Sequence, residues 1–160
     1  MPAILSSNNG EAQFVIELRA SAEYARDMGY QSSIYLRGQH WDGDHTFPFS
    51  TSITGLWLRA SDLTAFREHI SRWLSQPLDD LIAENLRADF QLAQLPNQSV
   101  RVRFGPQSER TSDLNPVITV TFSVGALRGE FHFITDQSCL TLFVQELSAE
   151  LLGSHKAFVE

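Results

Sequence analysis

Two histidines and two aspartates fall within six residues in the stretch Gln39-His40-Trp41-Asp42-Gly43-Asp44-His45. Imidazoles and carboxylates bind zinc or non-haem iron, and run general acid–base chemistry, when three or four of them converge on one point. In an extended chain His40, Asp42 and Asp44 share parity and would face one side. Asp42-Gly43 is also a strong hairpin turn pair, because glycine supplies the positive φ that such a turn needs. A chain that reverses there does not keep its ligands together. No other histidine or cysteine completes a ligand set: His69 falls in a helical pattern, His132 in a strand pattern and His155 near the carboxyl end. The stretch therefore reads as the polar tip of a hairpin. Its rival is a metal-dependent hydrolase built on His40, Asp42, Asp44 and His45.

Other routes to catalysis have less support. The chain holds no Gly-x-Ser-x-Gly elbow, Walker-type loop or Gly-x-Gly-x-x-Gly fingerprint. Cys139, the single cysteine, lies beside Leu140 near an expected helix start, where burial is the simpler reading than an activated thiolate. Asp79 and Asp80 are adjacent, and adjacent residues do not face each other on a helix. The expectation is a protein with no catalytic residues, no metal and no cofactor. Trp57 and Trp73 fall in core patterns. Trp41, beside a polar turn, is expected to be partly exposed and able to anchor a partner. A third possibility is a small-ligand module with an aromatic pocket lined by Phe47, Phe49 and Trp57.

The elements that must position these residues follow from periodicity. Phe14, Ile16, Leu18 and Ala20 alternate with polar neighbours, as in a strand with one buried face. Ser33 to Arg37, and Thr46 to Phe49 running on through Ile53 to Leu58, read as a second and third strand flanking the tip. Pro48 belongs on an edge or at a bulge because it cannot donate a ladder bond. Leu63, Phe66, Ile70, Trp73 and Leu74 then share one face of a helix from about Ser61 to Leu74, with Ser61 as cap. Pro77 ends it or opens a short acidic turn of helix, PLDDLIAEN. Leu86, Ala88, Phe90 and Leu92 alternate, Pro96-Asn97-Gln98 marks a tight turn, and Val100, Val102 and Phe104 alternate opposite Arg101 and Arg103. Ile118 to Val124 and Phe131 with Phe133 form another hairpin around a glycine-containing turn. Asp136 stands as a cap before a final helix with Leu140, Phe143, Leu147 and Leu151 on one face, ending before Gly153. The order is β-β-β-α, then β-β-β-β-α, with links too short for parallel crossovers. The fold class is α+β: antiparallel sheets with helices packed on the apolar face, in one domain over residues 1–160. Matching sheet-to-helix junctions at Leu56-Trp57-Leu58 and Phe131-His132-Phe133 raise the question of an internal duplication.

Composition bounds the partners. The chain has 160 residues, is 42% hydrophobic, and carries a formal net charge of −7 with a pI near 5.1. That charge, with no Lys/Arg run, disfavours nucleic acid. The amino-terminal stretch has no basic n-region, and no segment has the length of a membrane span, so an unexported, cytoplasmic protein is expected. The acidic tip at Asp42 and Asp44 and the acidic stretch with Asp79, Asp80 and Glu84 could meet a basic protein.

The stretches GLWLRASDLTAFREHISRWL, ENLRADFQLAQLPNQSVRVRF and VITVTFSVGALRGEFHFITDQSCLTLFVQELSAELL resemble the WapI-type immunity proteins of bacterial polymorphic toxin systems. The likeness lies in element order and apolar pattern: a strand feeding a capped helix, an acidic link, a strand and hairpin, a strand pair and a terminal helix. It implies an antitoxin-like protein that binds and occludes a cognate toxin, through a basic carboxyl-terminal toxin domain, without catalysis. Trp41, Asp42, Asp44, Asp79, Asp80 and Glu84 are then the expected partner-binding residues.

Overall fold

A computed structural model describes residues 1–19, 29–41, 43–75, 88–95, 97–105 and 115–159. Strands β1 (Ala3–Ser6), β2 (Gln13–Arg19), β3 (Gly29–Trp41) and β4 (Thr46–Arg59) form one antiparallel sheet in chain order, followed by helix α1 (Ala60–Ser75). Strands β5 (Ala88–Leu95), β6 (Gln98–Gly105), β7 (Val117–Val124) and β8 (Leu127–Ile134) form a second such sheet, followed by helix α2 (Gln137–Val159). The fold is α+β, as the alternating strands and capped helices imply. The first half nevertheless holds one strand more than periodicity suggested. β1 is only four residues long, and its free edge is closed by groups far along the chain. The Ile4 amide donates to Glu146 of α2 at 2.7 Å, and the Thr135 hydroxyl donates to the Ser6 carbonyl at 2.7 Å.

With β1 included, the halves share one plan. The pairs Phe14↔Leu36 and Ile16↔Ile34 of β2 and β3 match Val100↔Phe122 and Val102↔Val120 of β6 and β7, at a constant separation along the chain. The helices match in sequence as well. Ser61, Leu63, Thr64, Phe66, Ser71 and Leu74 recur as Ser138, Leu140, Thr141, Phe143, Ser148 and Leu151. Two differences separate the copies. Between the pair Leu36↔Thr51 lie residues 37–50, whereas between Phe122↔Gly129 lie only residues 123–128, so the first hairpin is longer by eight residues. β4 also holds one extra residue opposite Ser32 to Ile34, a bulge at Thr54-Gly55 where Gly55 takes φ +70°.

Each helix covers the sheet of the other half. α1 packs on β4, β5 and α2, while α2 packs on β1, β2 and α1. The crossing is aromatic: Phe66 meets Phe90 and Phe104 at ring separations of 5.4 and 5.7 Å, Phe143 meets Phe14 at 6.3 Å, and the two helix phenylalanines meet each other at 6.1 Å. Both are fully buried within one apolar cluster that unites inner-face residues of both sheets with Leu63, Ile70, Leu140 and Leu147.

Three expectations need correction. Ser61 lies inside the first turn of α1, which starts at Ala60. Asp136 does cap α2, its carboxylate accepting the Cys139 amide at 2.9 Å, but the helix runs through Gly153 to Val159, since glycine weakens a helix interior without ending it. Trp57 is not core: the β4 bulge shifts the alternation by one, so Leu56 and Leu58 point inward and Trp57 outward under the Arg59 guanidinium, 5.3 Å from the ring centroid. The acidic stretch after Pro77 and most of the polar loop before Pro116 lie outside the described residues.

Candidate functional site

The stretch that raised the question of metal chemistry is a hairpin tip. β3 ends at Trp41, paired with Thr46 at the start of β4, and in the link between them Gly43 takes φ +107°. The link takes four residues rather than Asp42-Gly43 alone, because Trp41 pairs with Thr46 and not with Asp44. Among the described residues no group of three or more His, Cys, Asp or Glu side chains could hold a metal ion.

What the hairpin presents instead is aromatic. Inner-face positions of β3 and β4 face each other as Leu36↔Thr51, Gly38↔Phe49 and His40↔Phe47. Leu36 is buried at the rim of the core, and beyond it the inner face runs out into solvent, with Phe49 42% and Phe47 50% exposed. The Phe49 ring lies over Gly38, where a Cβ would come within 2.5 Å of it, so only glycine admits this packing. Phe49 meets Phe131 of β8 edge-on at 5.5 Å, and Phe131 meets Phe133 at 5.6 Å. Phe133 belongs to the core. The result is a ladder of rings leading from the core across both sheets to the exposed arm. Nearer the tip, His45 and Phe47 form a separate pair with ring centroids 6.2 Å apart.

The expected site residues fall unevenly on this frame. Trp41 is the last residue of β3, and Asp44 is exposed in the turn. Asp42, Asp79, Asp80 and Glu84 lie outside the described residues. Sequence reasoning named Phe47 and Phe49 only as walls of a pocket shared with Trp57. The structure overturns that pocket, since Trp57 lies on the outer face and the two phenylalanines on the inner. Phe131 was missed as a site residue. The available signal was the alternation Thr46-Phe47-Pro48-Phe49, which places two rings on one face at the end of an edge strand.

The outer face of the first sheet is polar. Two shallow clefts of about 290 and 540 Å³ flank a central pair in which the Arg37 guanidinium lies over Tyr35, 5.6 Å from the ring centroid. The Tyr35 hydroxyl donates to Glu17 at 3.0 Å, and Arg19 lies 3.6 Å from the same carboxylate. Four titratable groups among the described residues are displaced from their ordinary range: the Met1 amine is raised by its hydrogen bond to Glu150, burial raises Tyr30, and His69 and Cys139 shift as follows. Burial, aided by the nearby positive Arg72, lowers the pKa of His69, whose ring lies 5.0 Å from that of Phe90. Burial, then the hydrogen bond and charge of Asp136, pushes the Cys139 thiol up, the opposite of an activated nucleophile.

No protein-family model and no curated protein sequence matches the chain. Among solved structures, the plant transcriptional regulator PBF-2 is similar over 98% of this chain and 86% of that chain, at 11% identity and a TM-score of 0.44. A likeness that remote says nothing about activity. No helix among the described residues is long and apolar enough to cross a membrane.

Proposed function

We propose that this chain is a non-catalytic, cytoplasmic immunity protein that binds a cognate toxin domain and occludes it. The observation that carries the reading is the exposure of Phe47 and Phe49 on a hairpin longer than its counterpart in the second half. Contiguous exposed aromatic surface favours self-association unless a partner covers it, and buried aromatic anchors dominate binding energy at protein interfaces. The sequence of the tip carries two carboxylates, Asp42 and Asp44, which suits a basic partner and fast association. Trp41 at the end of β3 is proposed as a further anchor, and Asp79, Asp80 and Glu84 as further acidic contacts on the strength of the sequence alone. The resemblance in element order to WapI-type immunity proteins supports a toxin as the partner.

The test is affinity capture of the partner by the tagged protein in its native host, followed by titration of the purified pair. Replacing both Phe47 and Phe49 with serine should weaken binding by at least about 2 kcal/mol, as for interface hot spots. Alanine at Trp41, Asp42, Asp44, Asp79, Asp80 or Glu84 should each cost more than about 0.5 kcal/mol. Unchanged affinity across the set would remove these residues from the site, and detection of a turned-over substrate would remove the non-catalytic reading.

A further inference from the structure

Independently of any toxin, we infer that β8 is the docking edge for a second copy of this chain. The second copy adds its own β8 antiparallel, on a two-fold axis at Gly129, and joins two four-stranded sheets into one. The two sheets have four edge strands, β1, β4, β5 and β8, and three of them are blunted. Glu146 and Thr135 seal β1. β4 carries Pro48 and the bulge at Thr54-Gly55, and the register of β5 breaks between Gln91 and Ala93. β8 has neither proline nor bulge and pairs with β7 in unbroken register from Leu127 to Ile134.

The ladder fixes which groups this edge offers. The Thr135 amide donates to the Pro116 carbonyl at 3.1 Å, continuing the alternation in which Gly129, Phe131 and Phe133 turn their amides and carbonyls toward β7. Those of Arg128, Glu130, His132 and Ile134 therefore point away from it. Ile134 bears this out, its carbonyl accepting the Asn8 amide at 3.0 Å. Among the described residues nothing bonds to the outward amides and carbonyls of Arg128, Glu130 and His132.

Side chains then select the register. When two identical strands pair antiparallel, outward-pointing residues meet one another, which leaves few alignments. Arg128 opposite Arg128, or Glu130 opposite Glu130, sets like charges face to face. Alignments centred on Phe131 or His132 run onto Ile134, whose carbonyl is already engaged. Centring on Gly129 places Arg128 opposite Glu130 twice, with four backbone hydrogen bonds between them. Both side chains are exposed, and Glu130 meets Arg103 at 3.9 Å through one carboxylate oxygen, leaving the other for Arg128. On the inner face the same alignment sets Leu127, 51% exposed, against half-buried Phe131, again twice. Between those pairs Gly129 faces itself. The Phe122 ring lies over that glycine, where a Cβ would come within 2.5 Å, so the pairing brings one such ring to each side of the axis. The short sequence Arg128-Gly129-Glu130 is thus complementary to its own reverse, a property that points to a second copy rather than to an unrelated strand. Its overlap from Leu127 to Phe131 is about 17 Å long and covers well under the roughly 800 Å² per partner of a stable interface, so the dimer is weak, with a Kd on the order of 100 µM.

The experiment is sedimentation equilibrium of the full chain from low micromolar to about 500 µM, at about 0.15 M salt so that the net negative charge does not mask association. The expected result is a monomer–dimer equilibrium that Arg128→Glu and Glu130→Arg, each alone, weaken at least tenfold. Mixed in equal amounts, those two variants should associate at least as well as the unaltered chain, since each supplies the charge the other lacks. That recovery also shows that neither variant has lost its fold. Amide hydrogen exchange at Arg128 and Glu130 should slow as concentration rises. A monomer across the whole range overturns the inference, as does a dimer that neither reversal weakens or a mixture that fails to associate. Self-association abolished by Phe47→Ser with Phe49→Ser and unmoved by the reversals places the contact on the β3–β4 arm and overturns it equally.

Discussion

Phe66 and Phe143 occupy the same place in the two helices, and their contact joins the halves, so a double-mutant cycle on them tests whether the repeat is also a mechanical unit. Phe66 is fully buried and meets Phe90, Phe104 and Phe143 at 5.4, 5.7 and 6.1 Å. Truncation to alanine removes its transfer free energy and leaves a cavity under sheet strands that cannot collapse independently, a loss of about 3–5 kcal/mol. Phe143, buried equally and meeting Phe14 and Phe66, should lose a similar amount. For a chain of this length each kcal/mol lowers Tm by about 2–4 °C, so each single variant should melt about 6–20 °C lower. Because the rings touch, the double variant should lose less than the two singles together, by the roughly 0.5–1.5 kcal/mol of one aromatic pair. Urea unfolding followed by the emission of the buried Trp73 reads all four proteins. A single-variant loss below about 1.5 kcal/mol, or additivity within about 0.3 kcal/mol, would refute the claim that the halves are locked through this contact.

Glu146→Leu should destabilise by about 1.5–3 kcal/mol, because the Ile4 amide at the edge of β1 loses its charged acceptor, and faster hydrogen exchange at Ile4 would report it. His69 has a depressed folded-state pKa, so the unfolded chain binds its proton first as pH falls. Stability should therefore decline from about pH 6.5 downward to the folded pKa, and His69→Gln, compared by urea midpoint at pH 7.5 and 5, should flatten that slope. Cys139, half-buried and with its thiol pKa raised, should react with iodoacetamide at pH 8 at least about tenfold more slowly than in urea; equal rates would contradict the burial.

Most strands, both helices and the position of the hairpin tip were legible because each announces itself locally: alternation in Phe14 to Leu18 and Val100 to Phe104, a stripe from Leu63 to Trp73, a glycine turn at Asp42-Gly43. What escaped depends on distant partners. β1 is too short to show a period, and the groups that satisfy its edge, Glu146 and Thr135, come from the other half. The outward turn of Trp57 follows from one extra residue in β4, which periodicity reads as continued alternation. The helix motif shared by residues 61–74 and 138–151 was present in the sequence, but the longer first hairpin and the bulge hide it by changing the spacing between repeats. The aromatic ladder was illegible because Phe49 and Phe131 belong to different sheets.

The repeat narrows where function can reside. Positions that match between the halves build the shared core, so a property special to this protein belongs where the copies differ. Among the departures along the helices are His69 against Glu146 and Trp73 against Glu150. The two glutamates have a structural role: Glu146 accepts the Ile4 amide, and Glu150 lies 2.5 Å from the Met1 amine, so together they fasten β1 beneath α2. Trp73, buried on α1, fills the corresponding place with apolar volume, and His69 sets its ring against Phe90. These exchanges serve the sealing of each sheet's first strand. The elongated β3–β4 hairpin serves no such purpose. It adds strand beyond the last buried pair and leaves two phenylalanines about half exposed, which costs solubility for little gain in core. Under the proposed function that cost is met by an external contact, and the arm is accordingly the first surface on which to look for a partner.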